Sequence, residues 1–167
     1  MAGLGPVVTA LWKELGMAPP FERIGESFEF ELGSVAFRLQ VADDGDTILA
    51  RGRIGWLEGN PHEAGDQLGR ALRLGLALTA LNPAVLDASE AEDILEQGHE
   101  GPVPVYAVAR ASVSVPASIL PAVSAVLDWQ SATSGILTQT SDGESEPQPR
   151  RGADRAGPDA EMIIFQP

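Results

Sequence analysis

The chain has 167 residues, 24 acids against 11 bases, a net charge of −13, 44% apolar residues and no cysteine. That length and apolar content suffice for one domain with its own core, while the negative charge repels phosphate backbones and disfavours nucleic acid as a partner. The missing thiols exclude disulfides, thiol catalysis and cysteine-ligated metal sites.

The N-terminal stretch MAGLGPVVTALWKELG has neither a basic leader nor a long apolar run, which predicts no signal peptide. Within it Val8, Leu11, Trp12 and Leu15 recur at helical spacing, predicting an amphipathic helix over 6–15 that Gly16 closes and Pro19-Pro20 stop. Residues 27–41, SFEFELGSVAFRLQV, alternate apolar and polar on either side of Gly33-Ser34. A two-residue turn there places Leu32 opposite Val35, Phe30 opposite Phe37 and Phe28 opposite Leu39 on one face, and Glu29 opposite Arg38 on the other. A slip of one residue would destroy both matches, so the register is well specified. After the turn Asp43-Asp44-Gly45-Asp46, residues 47–57 continue as a third strand, with Ile48, Ala50, Gly52, Ile54 and Trp56 on the oily face and Leu49, Arg51, Arg53 and Leu57 on the other.

Asn60-Pro61-His62-Glu63 is a helix start, with Asn at N-cap, Pro at N1 and Glu at N3. The helix is predicted to run to Leu81, stop at Asn82-Pro83 and cover the sheet. Leu68, Leu72 and Leu76 point one way, while Leu74, Leu78 and Leu81 point well to the side. The apolar arc spans about 220°, more than one sheet can bury, which calls for a second subunit. Residues 84–101 are the least readable: AVL is a candidate short strand and ASEAEDILEQ a candidate helix. VPVYAVARASVSV is a strand with Val105, Ala107, Ala109, Ala111 and Val113 on one face. Pro116 opens a last helix to about Leu137 with Leu120, Val123, Leu127 and Ile136 inward. The fold class is therefore α+β, a twisted antiparallel sheet covered by one long central helix with flanking N- and C-terminal helices. Residues 1–137 form the domain. Residues 138–167 lose hydrophobic periodicity and read as a disordered acidic tail, ending in the apolar MIIFQP.

The chain is poor in chemistry. His62 sits at a helix start and His99 in a loop, and neither belongs to a metal-binding motif. DDGDT at 43–47 lacks the further ligands and closing Glu of a calcium loop and reads as a turn. No nucleophile elbow, dinucleotide fingerprint or Walker sequence is present, and Lys13, the single lysine, has no context for phosphate or Schiff-base work. Glu90, Glu92, Asp93 and Glu96 read as a solvated helix face. Arg51 and Arg53 share a strand face beside Arg38, with Glu29 and Glu31 as neutralising neighbours. The expectation is no enzyme, no cofactor and no metal. No apolar run approaches the roughly 18 residues of a membrane span.

This order of elements, with ALWKELG, SFEFELGSVAFRL, ILARGRIGW, ALRLGLALTALNP, VYAVARASV and ILPAVSAVLDWQSATSGIL carrying it, resembles the class I chaperones of bacterial type III secretion across about residues 4–137. The resemblance implies an α-β-β-β-α-β-β-α fold and a small cytoplasmic homodimer. Such a dimer holds the N-terminal chaperone-binding segment of a secreted effector soluble, non-globular and secretion-competent, without ATP, in a virulence setting. On that reading Leu11, Trp12, Phe21, Leu49 and Leu57 contact the effector, with ordinary core as the alternative for all five. Leu74, Leu78, Leu81, Val105 and Ala107 form the dimer interface. The competing readings are a non-secretory adaptor or regulatory dimerisation domain, and a binder of small anions at Arg38, Arg51 and Arg53.

Overall fold

The hairpin forms in the expected register. In the computed structural model, which describes residues 3–18, 20, 24–78, 80–98 and 101–139, β1 (Ser27–Leu32) pairs antiparallel with β2 (Val35–Val41). Leu32 faces Val35, Phe30 faces Phe37, Phe28 faces Leu39 and Glu29 faces Arg38. Gly33, at φ +65°, takes the left-handed turn conformation that side chains avoid. The next turn is built by Asp44, whose carboxylate accepts from the Asp46 and Thr47 amides (3.0 and 2.8 Å) and from the Thr47 hydroxyl (2.7 Å). It delivers β3 (Thr47–Leu57) against β2.

The chain is α+β, with a five-stranded antiparallel sheet in the order β1-β2-β3-β5-β4 and four α-helices among the described residues. The first helix, α1 (Leu4–Glu14), starts two residues earlier than its pattern predicted and buries Leu4, Val7, Val8 and Leu11. It ends in a Schellman pair: Gly16 N–H donates to the Lys13 carbonyl and Met17 N–H to that of Trp12. The long helix α2 (Pro61–Leu78) opens as expected at Asn60, whose side chain accepts from the His62 amide at 3.0 Å. Its described span reaches Leu78, short of Leu81, and the Leu81 and Asn82 amides both donate to the Leu78 carbonyl (2.8 and 2.9 Å). The uncertain stretch resolves into β4 (Val85–Asp87) and α3 (Ser89–Glu96), so a helix stands between the last two strands that the implied family order lacks. Strand β5 (Val103–Ser112) and a short 3₁₀ turn at Pro116–Ser118 lead to α4 (Ile119–Thr133), which ends before the predicted Leu137.

Two expectations about the core change. The long helix shares the covering role, and α4 takes the larger part: it lies directly on β3 and β5, while α2 meets the sheet mainly toward β3 and β4. The close approach of α4 requires Gly52, where a Cβ would sit 2.5 Å from Val126 Cγ1. Strand β3 also carries an irregularity between Arg53 and Gly55. Adding one residue to a ladder flips every side chain beyond it. Leu57 therefore turns inward and is fully buried, whereas Trp56 is half-buried on the outer face with the Arg53 guanidinium 4.5 Å above its ring. The packed chain runs past the predicted boundary at 137. Thr138 exchanges backbone hydrogen bonds with Trp56 (2.8 and 2.9 Å) and its hydroxyl donates to Glu58 at 2.6 Å. The rest of the predicted tail, 140–167, lies outside the described residues.

Candidate functional site

Helix α2 turns a stripe of mostly small residues inward. Ala64, Leu68, Ala71 and Gly75 are buried, and a Cβ on Gly75 would lie 2.9 Å from Trp129 Cη2 of α4. The junction after the helix is tied to the same place: Trp129 Nε1 donates to the Ala84 carbonyl (3.0 Å) and Asn82 Nδ2 to that of Ala125 (3.1 Å). With Gly75 inward, a spacing of about 100° per residue puts Leu74 and Leu78 on one flank of the stripe and Leu72 and Leu76 on the other. Leu74 and Leu78 are half-buried, and Leu78 packs on the core. Leu72, Leu76 and Leu81 are 40%, 82% and 87% exposed, and Val85 in β4 is 49% exposed. Four of the six exposed large apolar side chains of the described residues thus fall between 72 and 85. Scattered single leucines need no explanation, but this concentration does.

A second apolar rim joins α1 to the free edge of the sheet. Trp12 is half-buried and meets Phe28 and Phe30 edge-on, with centroids 5.3 and 5.1 Å apart, and Phe30 stacks on Phe37 at 5.1 Å. Beside it β1 is the outermost strand on its side, so among the described residues one row of its backbone groups has no neighbouring strand.

The outer sheet face carries a groove of about 860 Å³ between the strands and α3. Its floor includes Arg38, Leu49, Arg51, Val108 and Arg110, and its wall includes Glu90, Asp93 and Ile94 of α3. Arg38 stands directly opposite Arg51, a repulsive pairing unless each is neutralised. Arg51 is held by Asp87 (3.3 Å) and Glu90 (2.7 Å) and lies 3.7 Å over the Tyr106 ring. Burial pushes the Tyr106 hydroxyl above its ordinary value, and the Glu90 carboxylate adds to the shift. Arg38 has a looser pair with Glu29 at 3.8 Å, both side chains more than half exposed. Arg110 has no ion pair among the described residues.

The predicted contact residues divide accordingly. Leu11 and Leu57 are fully buried in the core, so neither is available as the contact residue expected; α1 turns Leu11 inward, and the β3 irregularity does the same for Leu57. Val105 and Ala107 are likewise fully buried on the inner face of β5 and cannot meet a second copy. Trp12 and Leu49 remain accessible in part, on the aromatic rim and in the groove respectively. Phe21 lies outside the described residues. Of the predicted interface leucines, Leu81 is exposed and Leu74 and Leu78 are half-buried, while Leu72 and Leu76, read as pointing another way, are exposed as well. Sequence reasoning missed Val85, Asp87, Glu90 and Arg110. The acidic run at 90–96 was a signal, but its partner Arg51 lies 39 residues away from Glu90. His62 is exposed at the start of α2 and His99 lies outside the described residues. Among the described residues no group of three or more His, Asp or Glu side chains could hold a metal, and no helix is long and apolar enough to cross a membrane.

In comparisons with known proteins, no family model matches the chain and no curated protein matches it.

Proposed function

We propose that this chain is a class I type III secretion chaperone that works as a cytoplasmic homodimer and holds the N-terminal segment of a secreted effector in extended form. The observation that carries the reading is the crowding of Leu72, Leu76, Leu81 and Val85 onto the exposed side of α2 and the strand it leads into. A second copy meeting this face would remove those side chains from water at about 25 cal/mol per Å² of apolar area. The edge of β1 next to Trp12, Phe28 and Phe30, unpaired among the described residues, then offers an effector what strand addition needs: backbone partners for affinity and an apolar rim for selectivity.

Light scattering on the eluting protein tests the dimer: a mass twice the 17.5 kDa of the chain is expected. Leu76→Asp should restore a single-copy mass while keeping the native far-UV spectrum, because Leu76 is 82% exposed and its loss leaves no hole. A monomer at micromolar concentration removes the proposal's main support. Co-expression with candidate effectors followed by pull-down tests the cargo. A dimer that retains no effector supports the adaptor reading instead.

A further inference from the structure

We infer that the edge of β1 selects its partner by charge as well as by shape: it takes an extended segment in which large apolar residues alternate with lysine or arginine. This selectivity rests on the proposed effector binding at the same edge and adds the chemistry of the segment it takes. Strand β1 reads S-F-E-F-E-L over Ser27–Leu32, and its two faces differ. Phe28, Phe30 and Leu32 share the inner face and are only half-buried, with Trp12 edge-on to both phenylalanines. Further into the sheet the inward residues Leu39, Ile48 and Val105 are fully buried. The apolar row of β1 stays partly open because among the described residues no strand lies beyond it.

The outer face of the same strand is acidic and under-compensated. Glu29 faces Arg38 across the β1–β2 ladder, but the pair is loose at 3.8 Å and the Glu29 side chain is 73% exposed. Glu31 faces Ala36, which has no charge to offer, and Glu31 makes no ion pair among the described residues. A base on a strand added at this edge would meet Glu31 from the side away from β2. Such a strand, parallel or antiparallel, has to alternate in step with β1. The order apolar, base, apolar, base, apolar then lies against Phe28, Glu29, Phe30, Glu31 and Leu32. It extends the aromatic rim on one face and neutralises two acids on the other. Acids in the two basic places would stand beside Glu29 and Glu31 and repel them. The net charge of −13 draws basic segments toward the chain as well. The proposed dimer face is elsewhere, since Val85 belongs to β4 at the opposite end of the sheet.

Three synthetic peptides test this on the full-length protein, with backbone amide shifts read by NMR during titration. The first is G-S-V-K-V-K-V-S-G, the second its counterpart G-S-V-E-V-E-V-S-G, and the third G-S-K-K-V-V-V-S-G, which has the composition of the first without its alternation. The alternating lysine peptide should shift the amides of Ser27–Leu32 and bind about tenfold tighter than the glutamate peptide. The third peptide should bind more weakly than the first, because charge without alternation cannot match both faces. Glu31→Lys should erase most of the preference for lysine over glutamate. Glu92→Lys, the same change of charge at an exposed position of α3, should leave it intact. Unshifted β1 amides with the first peptide, equal affinity for all three peptides, or equal responses to Glu31→Lys and Glu92→Lys would each overturn the inference. A single-copy mass in light scattering would instead sink the chaperone reading and leave the edge preference standing, whereas a dimer whose edge ignores peptide charge would do the reverse.

Discussion

Helices α2 and α4 have exchanged the roles their sequences advertise. The first is rich in leucine, yet the residues it buries are Ala64, Leu68, Ala71 and Gly75, and its outer leucines face away. The second carries only two leucines, Leu120 and Leu127, and it buries Ile119, Ala122, Val123, Ala125, Val126, Trp129 and Thr133. A missing side chain on the strand beneath lets α4 come close to the sheet, and close approach is what excludes water and gains dispersion contacts. Leucine content thus measures how much apolar surface a helix carries. Which helix becomes the lid depends on the fit of the facing surfaces, here Gly52 beneath Val126 and Gly75 against Trp129.

Substitutions at the contacts that define the two roles would sharpen or break the contrast. The largest effect is expected for Trp129→Ala, which empties the fully buried joint between α4 and α2 and leaves the Ala84 carbonyl without its donor. A loss of about 3–5 kcal/mol in urea unfolding is expected, and a loss below about 1 kcal/mol would show that α4 is not the principal lid. Gly52→Ala comes next. Its Cβ would overlap Val126, and overpacking of this kind costs about 1–3 kcal/mol. A neutral result would mean that α4 can ride up off β3 at no cost.

Within α2 the test is a pair of identical truncations. Leu68→Ala removes a buried side chain and should cost about 2–5 kcal/mol, whereas Leu76→Ala should cost less than about 0.5 kcal/mol at dilutions that keep a single copy. Equal costs would mean that Leu76 is covered within the protomer. The smallest effect lies outside both helices. The Thr47 hydroxyl, with the Thr47 and Asp46 amides, holds the Asp44 carboxyl below its ordinary value. Its contribution to stability is therefore fully present above the usual aspartate range and fades as pH falls through the lowered value. Asp44→Asn should flatten that acid limb of the stability curve slightly while leaving the lids untouched. An unchanged limb would remove the turn from the account.

The sequence alone determined the parts governed by short-range periodicity. The hairpin register from Phe28–Leu39 to Leu32–Val35, the span of β3, the Asn60 cap and the strand at 103–112 all follow from a two-residue repeat, a turn glycine or a capping side chain, each acting within a few residues. It also signalled an apolar arc on the long helix wider than one sheet buries, and among the described residues Leu72, Leu76 and Leu81 are indeed left exposed. Only the tertiary structure decided which leucines those are, that Leu57 faces in and Trp56 out, and that Arg51 is held by Asp87 and Glu90. The reason is physical. Helix rotation, a one-residue irregularity and an ion pair between distant segments are set by how whole surfaces fit, and no local pattern carries that information.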